Sequence, residues 1–362
     1  MQRMPDESEE HAATWMVFKV CREIWGKDLA PYVEQDLAKI AAVIAKYEPV
    51  KVLVSSRDRG RYERLVRAKN VSFFEAEADD LWARDTGCVF TLGRAVKFNF
   101  NGWGQKQAHG LDATVAERMA ELAGVELVTS SFCLEGGGLE VDGEGTAILT
   151  ESCVLNANRN PGVTKEALEA ELKVLLGLER LIWLPGIREK DITDGHTDFY
   201  ARFVRPGTVV AAVDEDPKSF DHQVTATHLA LLRAATDAKG RRLKVVPLPV
   251  PHTVRRRSED FAAGYVNFYV VNGAVLVPEF GDRRADSYAK ETLQALFPSR
   301  VIEQLNIDNL AEGGGGIHCA TQQQPKTAEN GAPGARFEPI LGAKEVPKAF
   351  HFMAFQCISW EI

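Results

Sequence analysis

The chain has 362 residues, 45% hydrophobic and 26% charged, which is the composition of an ordinary globular protein with enough length for a large core. Its formal net charge of −8 argues against nucleic acid and anionic membranes as partners, and six cysteines without a CxxC pair argue against a zinc ribbon, a thioredoxin-type motif and a disulfide scaffold. The N-terminus lacks an apolar signal segment, and no apolar run approaches the ~18 residues of a membrane span. We therefore expect a reduced, cytoplasmic protein.

Two β-rich runs joined by a turn glycine recur four times along the chain and predict four β-hairpins. These hairpins lie at 88–98, 139–149, 200–213 and 267–277, with turns at Gly93, Gly143, Gly207 and Gly273. Apolar residues at helical spacing predict helices at 165–178, 221–238 and 288–296.

The turn glycines lie 50, 64 and 66 residues apart, so a unit of hairpin, helix and further strand repeats. Repeats of this length indicate pseudosymmetric α/β modules around an axis. A fifth module would need the segment 317–323, closed by an N-terminal strand at 14–20. The alternative is an irregular α/β sheet.

The first segment whose side chains could take part in binding or catalysis is 79–87, where four charged residues surround Trp82 just before the first hairpin. Trp82 could form an apolar or cation–π wall of a site, and Asp85 could bind a cation. Core packing for Trp82 and a turn cap for Asp85 are the alternatives.

Glu135 comes next, followed by three glycines and then by the second hairpin. Its carboxylate could act as an acid, a base or a cation ligand, or it could simply face solvent in a loop. His196 and Asp198 follow, two positions apart, so on an extended strand they would face the same side. Such a pair suits acid–base chemistry, but a surface strand pair or half of a metal site shows the same pattern.

Four glycines, Gly313–Gly316, then lead through Ile317 and His318 to Cys319. Such a run is costly in folding entropy, so it predicts a thiol in a tight cleft lined by backbone. A nucleophilic cysteine needs a lowered pKa or a nearby base, whereas a small buried hydrophobe is the alternative interpretation. We expect His318 to face away from Cys319, because adjacent residues of a strand point to opposite faces.

These segments together supply one thiol, one histidine and three carboxylates, mostly on turns flanked by glycine. Carboxylates match the planar, five-donor guanidinium ion bidentately, so the set indicates a guanidinium substrate. A zinc site would more often use two or three histidines or cysteines. The chain has neither an HExxH nor a Walker A pattern, and its glycine runs lack the spacing of a dinucleotide loop.

At these residues the chain strongly resembles the agmatine deiminase family, within the guanidino-group modifying enzymes that are similar to peptidylarginine deiminases. The matching segments occur in order at 82–87, 135–138, 194–198, 265–269, 272–273 with 278–282, and 313–325. The resemblance implies an α/β pentein propeller: five ββαβ modules around a pseudo-fivefold axis, with the active site in the central channel. It places one catalytic domain at 1–325, followed by a tail of unclear role at 326–362.

The resemblance also implies a role for each candidate residue. Cys319 would be the nucleophile and His196 the general acid and base; Asp85 and Asp198 would bind the guanidinium, Glu135 would bind it and orient His196, and Trp82 would line the pocket. It implies no metal and no organic cofactor. The partner would be a small cationic substrate, agmatine, hydrolysed to N-carbamoylputrescine and ammonia through an amidino-thioether on the cysteine. The sequence leaves a homo-oligomer open.

Some segments depart from the family pattern. Cys88 stands where the family usually has proline, the stretch 17–25 is unusual, and the tail differs. The basic run Arg255–Arg257 is expected to be solvated; in the pocket it would instead favour a substrate that carries a carboxylate.

Other functions remain compatible with the sequence. The chain could be an arginine or peptidylarginine deiminase, or a non-catalytic binder of guanidines or polyamines. A metal hydrolase using His196, Asp198 and His318 is a further alternative, which metal analysis of the purified protein tests.

Overall fold

The structure is a computed structural model that describes residues 3–256, 258 and 260–327. The strands are β1 (His11–Val17), β2 (Val50–Val54), β3 (Val71–Glu75), β4 (Val89–Phe90), β5 (Ala95–Lys97), β6 (Leu127–Thr129), β7 (Leu139–Val141), β8 (Thr146–Thr150), β9 (Arg180–Leu184), β10 (Ala201–Arg205), β11 (Thr208–Val213), β12 (Lys244–Pro249), β13 (Tyr269–Val271), β14 (Ala274–Glu279), β15 (Val301–Asn306) and β16 (Gln322–Pro325). The helices are α1 (Arg22–Ile44), α2 (Ser56–Leu65), α3 (Ala83–Thr86), α4 (Gly102–Gln105), α5 (Val115–Ala123), α6 (Glu151–Val154), α7 (Lys165–Leu176), α8 (His222–Ala234), α9 (Arg283–Leu296) and α10 (Asp308–Ala311), with 3₁₀ turns at Asp112–Thr114, Gly136–Gly138 and Thr197–Phe199.

Within these described ranges the strands form five small mixed sheets. Four sheets repeat one topology, in which an antiparallel hairpin is followed by at least one helix and then by a strand parallel to the second hairpin strand. Their strand orders are β4-β5-β6, β7-β8-β9, β10-β11-β12 and β13-β14-β15. The four predicted hairpins are therefore confirmed, and each is the start of a ββαβ module.

The fifth sheet joins the two ends of the described chain. Strand β16 pairs antiparallel with β1, where Trp15 faces Gln322, and β1 pairs parallel with β2, where Thr14 faces Val50. The prediction of five pentein modules is confirmed. The strands lie at 11–17 and 322–325 rather than at 14–20 and 317–323, because residues 317–321 form a turn in which the hydroxyl of Thr321 donates to the carbonyl of Ile317 at 2.9 Å.

Local sequence signals explain most of these boundaries. Gly143, Gly207 and Gly273 have φ values of 73°, 76° and 87°, which suit the hairpin turns they occupy. Helix α7 begins at Lys165, as predicted, and the side chain of Thr164 caps it. Helix α9 begins at residue 283, five positions before the predicted start, because Asp282 accepts a hydrogen bond from the Ala285 amide and caps the helix there.

Apolar side chains fill the space between sheets and helices. The middle strands β8, β11 and β14 are buried along almost their whole length, so they read as continuous apolar runs. Cys88 is fully buried in an apolar cluster that includes Met119. None of the described helices is long and apolar enough to cross a membrane.

Helix α1 is interrupted near its start, and this interruption matters for the site. Gly26 has φ 71° and ψ 160°, which are not helical angles, so the winding of α1 breaks there. Trp25, directly before the break, is 5% exposed and lies beside Trp82, with ring centroids 5.8 Å apart. The N-terminal stretch 17–25 thus supplies an aromatic side chain that lies beside Trp82.

Candidate active site

The glycine run 313–316 forms one wall of a pocket, and the groups packed against it explain its composition. A Cβ at Gly313 would overlap the ring of Trp25, and one at Gly315 would overlap the ring of Trp82. Gly314 has φ +82°, which strains any residue with a side chain. The backbone-lined cleft predicted from this run is observed.

Cys319 lies in this pocket with its side chain 5% exposed. Asn267, which packs against Gly316, donates from Nδ2 to the Cys319 sulfur at 3.3 Å, and Oδ2 of Asp198 lies 3.6 Å from the same sulfur. Burial, Asp198 and Asp85 raise the pKa of the Cys319 thiol well above its ordinary value. The thiol is therefore protonated in this pocket.

Asp85 is buried and held in a fixed orientation. Its oxygens accept hydrogen bonds from the Trp103 indole and from the Gly137 amide, both at 3.0 Å. Burial raises the pKa of Asp85 to about 6, with His196 lowering it and Asp198 raising it. Trp103 lies 18 positions from Asp85, and no local pattern pointed to it.

Asp198 has one satisfied and one unsatisfied oxygen. Oδ2 lies 2.7 Å from Nδ1 of His318, whereas the buried Oδ1 has no hydrogen-bond partner among the described residues. Although burial raises the pKa of Asp198, the hydrogen bond with His318 and the charges around it bring that pKa below its ordinary value. An ionised carboxylate with a free buried oxygen is suited to accept a hydrogen bond from a cationic ligand.

His318 was expected to face away from the site, and this expectation rested on a strand that the structure does not form. Its Nε2 lies 2.9 Å from Oε2 of Glu7, while Nδ1 contacts Asp198. Burial and the charges of Arg202 and Arg84 lower the pKa of His318 below its ordinary value, so the ring carries one proton and donates to one of these two carboxylates at a time. His318 makes no direct hydrogen bond to Cys319 and instead holds Asp198, which contacts the sulfur.

His196 and Asp198 do not share a strand, since both belong to the turn around the 3₁₀ segment Thr197–Phe199. The side chains nevertheless converge: a Cβ at Gly137 would lie 3.0 Å from Asp85 Oδ1, 3.1 Å from Asp198 Oδ2 and close to His196 Nδ1. That buried Nδ1 has no hydrogen-bond partner in the described chain. The glycines after Glu135 therefore leave room for three site groups.

Glu135 is fully buried and paired with an arginine that the sequence analysis missed. Nε of Arg159 donates to both oxygens of Glu135, at 2.8 and 3.0 Å, and Nη1 of Arg159 donates to Asp194 at 2.7 Å. Although burial raises the pKa of Glu135, Arg159 and His196 bring it below its ordinary value. The ionised carboxylate lies 3.4 Å from Nε2 of His196, so its contacts fit the orientation of that ring.

These neighbours also set the charge of His196. Burial alone would lower the pKa of His196, but Asp85, Cys153 and Glu135 raise it well above its ordinary value. The ring is therefore an imidazolium, which can donate a proton.

The predicted site residues fall into two groups, one that lines the pocket and one that does not. Trp82, Asp85 and Cys319 line the pocket, together with Trp25, Trp103 and Glu312 among others. Glu135, His196 and Asp198 are buried and do not line it. The described residues that line this pocket include no lysine or arginine.

One group of three side chains has the composition of a metal site. Possible ligand atoms of Glu135, Cys153 and His196 lie within 4.8 Å of one another. Arg159 already occupies both oxygens of Glu135, and burial raises the pKa of the Cys153 thiol, which disfavours the thiolate that a metal binds. The contacts fit an acid–base pair better than a metal centre.

Five ββαβ modules that surround a buried cysteine, a histidine and several carboxylates define a pentein-fold protein. The chain belongs to the Porphyromonas-type peptidyl-arginine deiminase family, whose model matches residues 3–325.

Named relatives within this family are similar along nearly their whole length. The agmatine deiminase of Stutzerimonas stutzeri is 37% identical over 352 residues, covering 89% of this chain and 95% of that protein. The agmatine deiminase of Pseudomonas aeruginosa is 37% identical over 357 residues, with the same coverage. The solved agmatine deiminase of Enterococcus faecalis superposes with a TM-score of 0.84 at 32% identity, covering 90% of this chain and 96% of that one.

Proposed function

We propose that this protein is an agmatine deiminase that hydrolyses agmatine to N-carbamoylputrescine and ammonia, with Cys319 as the nucleophile. The observation that carries the proposal is the buried carboxylate of Asp198, whose Oδ2 lies 3.6 Å from the Cys319 sulfur and whose Oδ1 has no hydrogen-bond partner among the described residues, next to a pocket whose charged lining residues are all acidic. A planar cation with several N–H donors satisfies this arrangement. The similarity to the named agmatine deiminases supports the same substrate.

Binding of the guanidinium would prepare the thiol for attack. Asp85 and Asp198 would accept its N–H groups, which places the positive charge beside Cys319. Because those two carboxylates raise the pKa of the thiol in the free protein, a cation between them and the sulfur lowers it, and the thiol loses its proton to water. The thiolate then attacks the guanidinium carbon and forms a C–S bond.

His196 would handle the protons of the two following steps. Its imidazolium protonates the leaving nitrogen, the C–N bond breaks, and ammonia departs, leaving an amidino-thioether on Cys319. The neutral ring then takes a proton from water, which attacks the same carbon and releases the ureido product and the thiolate. Glu135, fixed by Arg159, would hold the ring in place. A reaction that depends on a free thiol fits a cytoplasmic location, and the five described cysteines are all free.

Arginine and peptidylarginine are the competing substrates, and both carry a further group at the far end. A free carboxylate there needs a cationic partner, but Arg255 pairs with Asp308 at 2.7 Å and does not line the pocket. Arg256 is exposed and does not line the pocket, and Arg257 lies outside the described residues. The pocket therefore favours agmatine.

The test is formation of ureido product by the purified protein with agmatine, free arginine or a blocked arginine peptide, without added metal. We expect turnover of agmatine and its loss by at least about 10³-fold in Cys319→Ser, since a serine hydroxyl has no accessible ionised form. Cys88→Ser is the matched control, because Cys88 is also buried but lies in a separate apolar cluster. Substantial turnover by Cys319→Ser would refute the assignment of Cys319 as the nucleophile. Turnover of arginine alone would refute agmatine as the substrate.

A further inference from the structure

The residues packed on the glycine run define two ends of the pocket. Gly313 packs on Trp25 and Gly315 on Trp82, while Gly316 packs on Asn267, whose side chain contacts the reacting sulfur. The pocket wall therefore leads from the Trp25 end, next to Glu312, to the Cys319 end.

The length of this wall suits an alkyl guanidine. The three steps from Gly313 to Gly316 span at most about 10 Å, and the six bonds from the guanidinium carbon of agmatine to its terminal nitrogen span about 7 Å. With the guanidinium at Cys319, the other end of the substrate reaches the region of Trp25.

That far end has the features of a cation site. The indole of Trp25 is fixed by a 2.8 Å hydrogen bond to the buried Asp80 and lies beside Trp82. Glu312 lines the pocket, is half-buried, and makes no side-chain hydrogen bond or ion pair with another described residue. Aromatic faces and an unpaired carboxylate both attract an ammonium ion.

We propose that Glu312, supported by the ring of Trp25, binds the distal ammonium group of the substrate and rejects substrates that carry a carboxylate there. This inference rests on the proposed deiminase function and adds a specificity-determining residue to it. Arginine would bring its carboxylate to the same end, where it meets the like charge of Glu312 and no cation among the described lining residues. Rejection of arginine thus comes from repulsion as well as from a missing partner.

The experiment compares two substrates that differ only at the far end: agmatine and butylguanidine, which has the same four-carbon chain without the amine. In Glu312→Gln we expect kcat/KM for agmatine to fall about tenfold, mainly through KM, because a charge-assisted contact becomes a neutral one. The kcat/KM for butylguanidine should stay unchanged, which also shows that the variant is folded. Glu312→Asp should restore part of the loss, and the exposed Glu291→Gln is the matched control.

Each outcome separates the two proposals. An equal fall for both substrates, or no fall for agmatine, would overturn the role of Glu312 while leaving the deiminase function intact. Turnover of butylguanidine but not of agmatine by the unaltered protein would refute agmatine as the substrate and the ammonium site with it.

Discussion

The protonation states of Cys319 and His196 are set by their buried surroundings. The thiol of Cys319 has a raised pKa and the imidazole of His196 has one too, so in the free protein the thiol is neutral and the imidazole is charged. Burial is the largest cause of the raised pKa of Cys319, with Asp198 and Asp85 adding to it, whereas for His196 the groups of Asp85, Cys153 and Glu135 outweigh burial. The arriving guanidinium would neutralise part of this negative field, so substrate binding and nucleophile activation become one event.

The raised pKa of Asp85 predicts that kcat/KM depends on pH. Asp85, whose pKa is raised to about 6, is ionised above that pH and neutral below it, and only the ionised form pairs with a guanidinium. The pKa values of Glu135 and Asp198 are lowered, so these groups stay ionised in the same range. We therefore expect kcat/KM to fall as pH drops below about 6, approaching tenfold per pH unit.

A pH–rate profile with agmatine measures this fall of kcat/KM at acid pH, which is the acid limb of the profile. Asp80 has a pKa of about 6 as well and lines the far end of the pocket, so it is the group to separate from Asp85. Asp80→Asn should keep the acid limb. A profile that stays flat to pH 5 would show that Asp85 does not pair with the substrate.

At the scale of elements, the site depends on loops that the modules hold in place. The segment between α10 and β16 carries the glycine run and Cys319, and the turn before β10 carries His196 and Asp198. The first segment has no hydrogen-bond ladder of a helix or strand, so packing against Trp25, Trp82 and Asn267 fixes it, whereas Asp198 lies in the 3₁₀ segment Thr197–Phe199.

Gly315→Ala tests this packing. The new methyl group would push the Trp82 ring out of the pocket wall, so we expect a loss of at least about 10²-fold in kcat/KM and a loss of stability of about 1–3 kcal/mol. Gly93→Ala is the control, because a Cβ at that hairpin turn meets nothing within 4 Å. Steady-state kinetics and thermal unfolding of both variants give the comparison, and wild-type kinetics in Gly315→Ala would show that Trp82 can move without consequence.

At the scale of the whole molecule, a buried network of charges connects the N-terminal segment to the site. Glu7 lies 2.8 Å from Arg202 and 3.1 Å from Arg84 as ion pairs, and it also contacts His318. These partners belong to three different parts of the chain, and His318 in turn holds Asp198. The network thus connects the N-terminal segment to the side chains around the Cys319 sulfur.

Glu7→Gln should therefore destabilise the protein by about 3 kcal/mol, since it removes the counter-charge of the buried Arg84 and leaves Arg202 with Glu140 alone. Glu10→Gln, whose side chain is 64% exposed and pairs with Lys326, should cost less than about 1 kcal/mol. Thermal and urea unfolding of the two variants measure the difference. Equal stabilities would mean that Arg84 and Arg202 find other partners.

The sequence by itself determined the modules and indicated the candidate site residues. Hairpin turns and apolar periodicity depend on neighbours within a few positions, so the ββαβ units could be predicted with boundary errors of a few residues. The glycine run was also informative, because only glycine tolerates rings packed directly on the backbone.

Only the tertiary structure decided which groups surround those residues. Arg159 reaches Glu135 across 24 positions, and His318 reaches Glu7 across 311. Trp25, Trp103 and Glu312 join the pocket from separate segments in the same way. Such pairings leave no periodic or local signal, because they arise when the modules close and the carboxylates, buried together, must find cations, hydrogen-bond donors or a substrate.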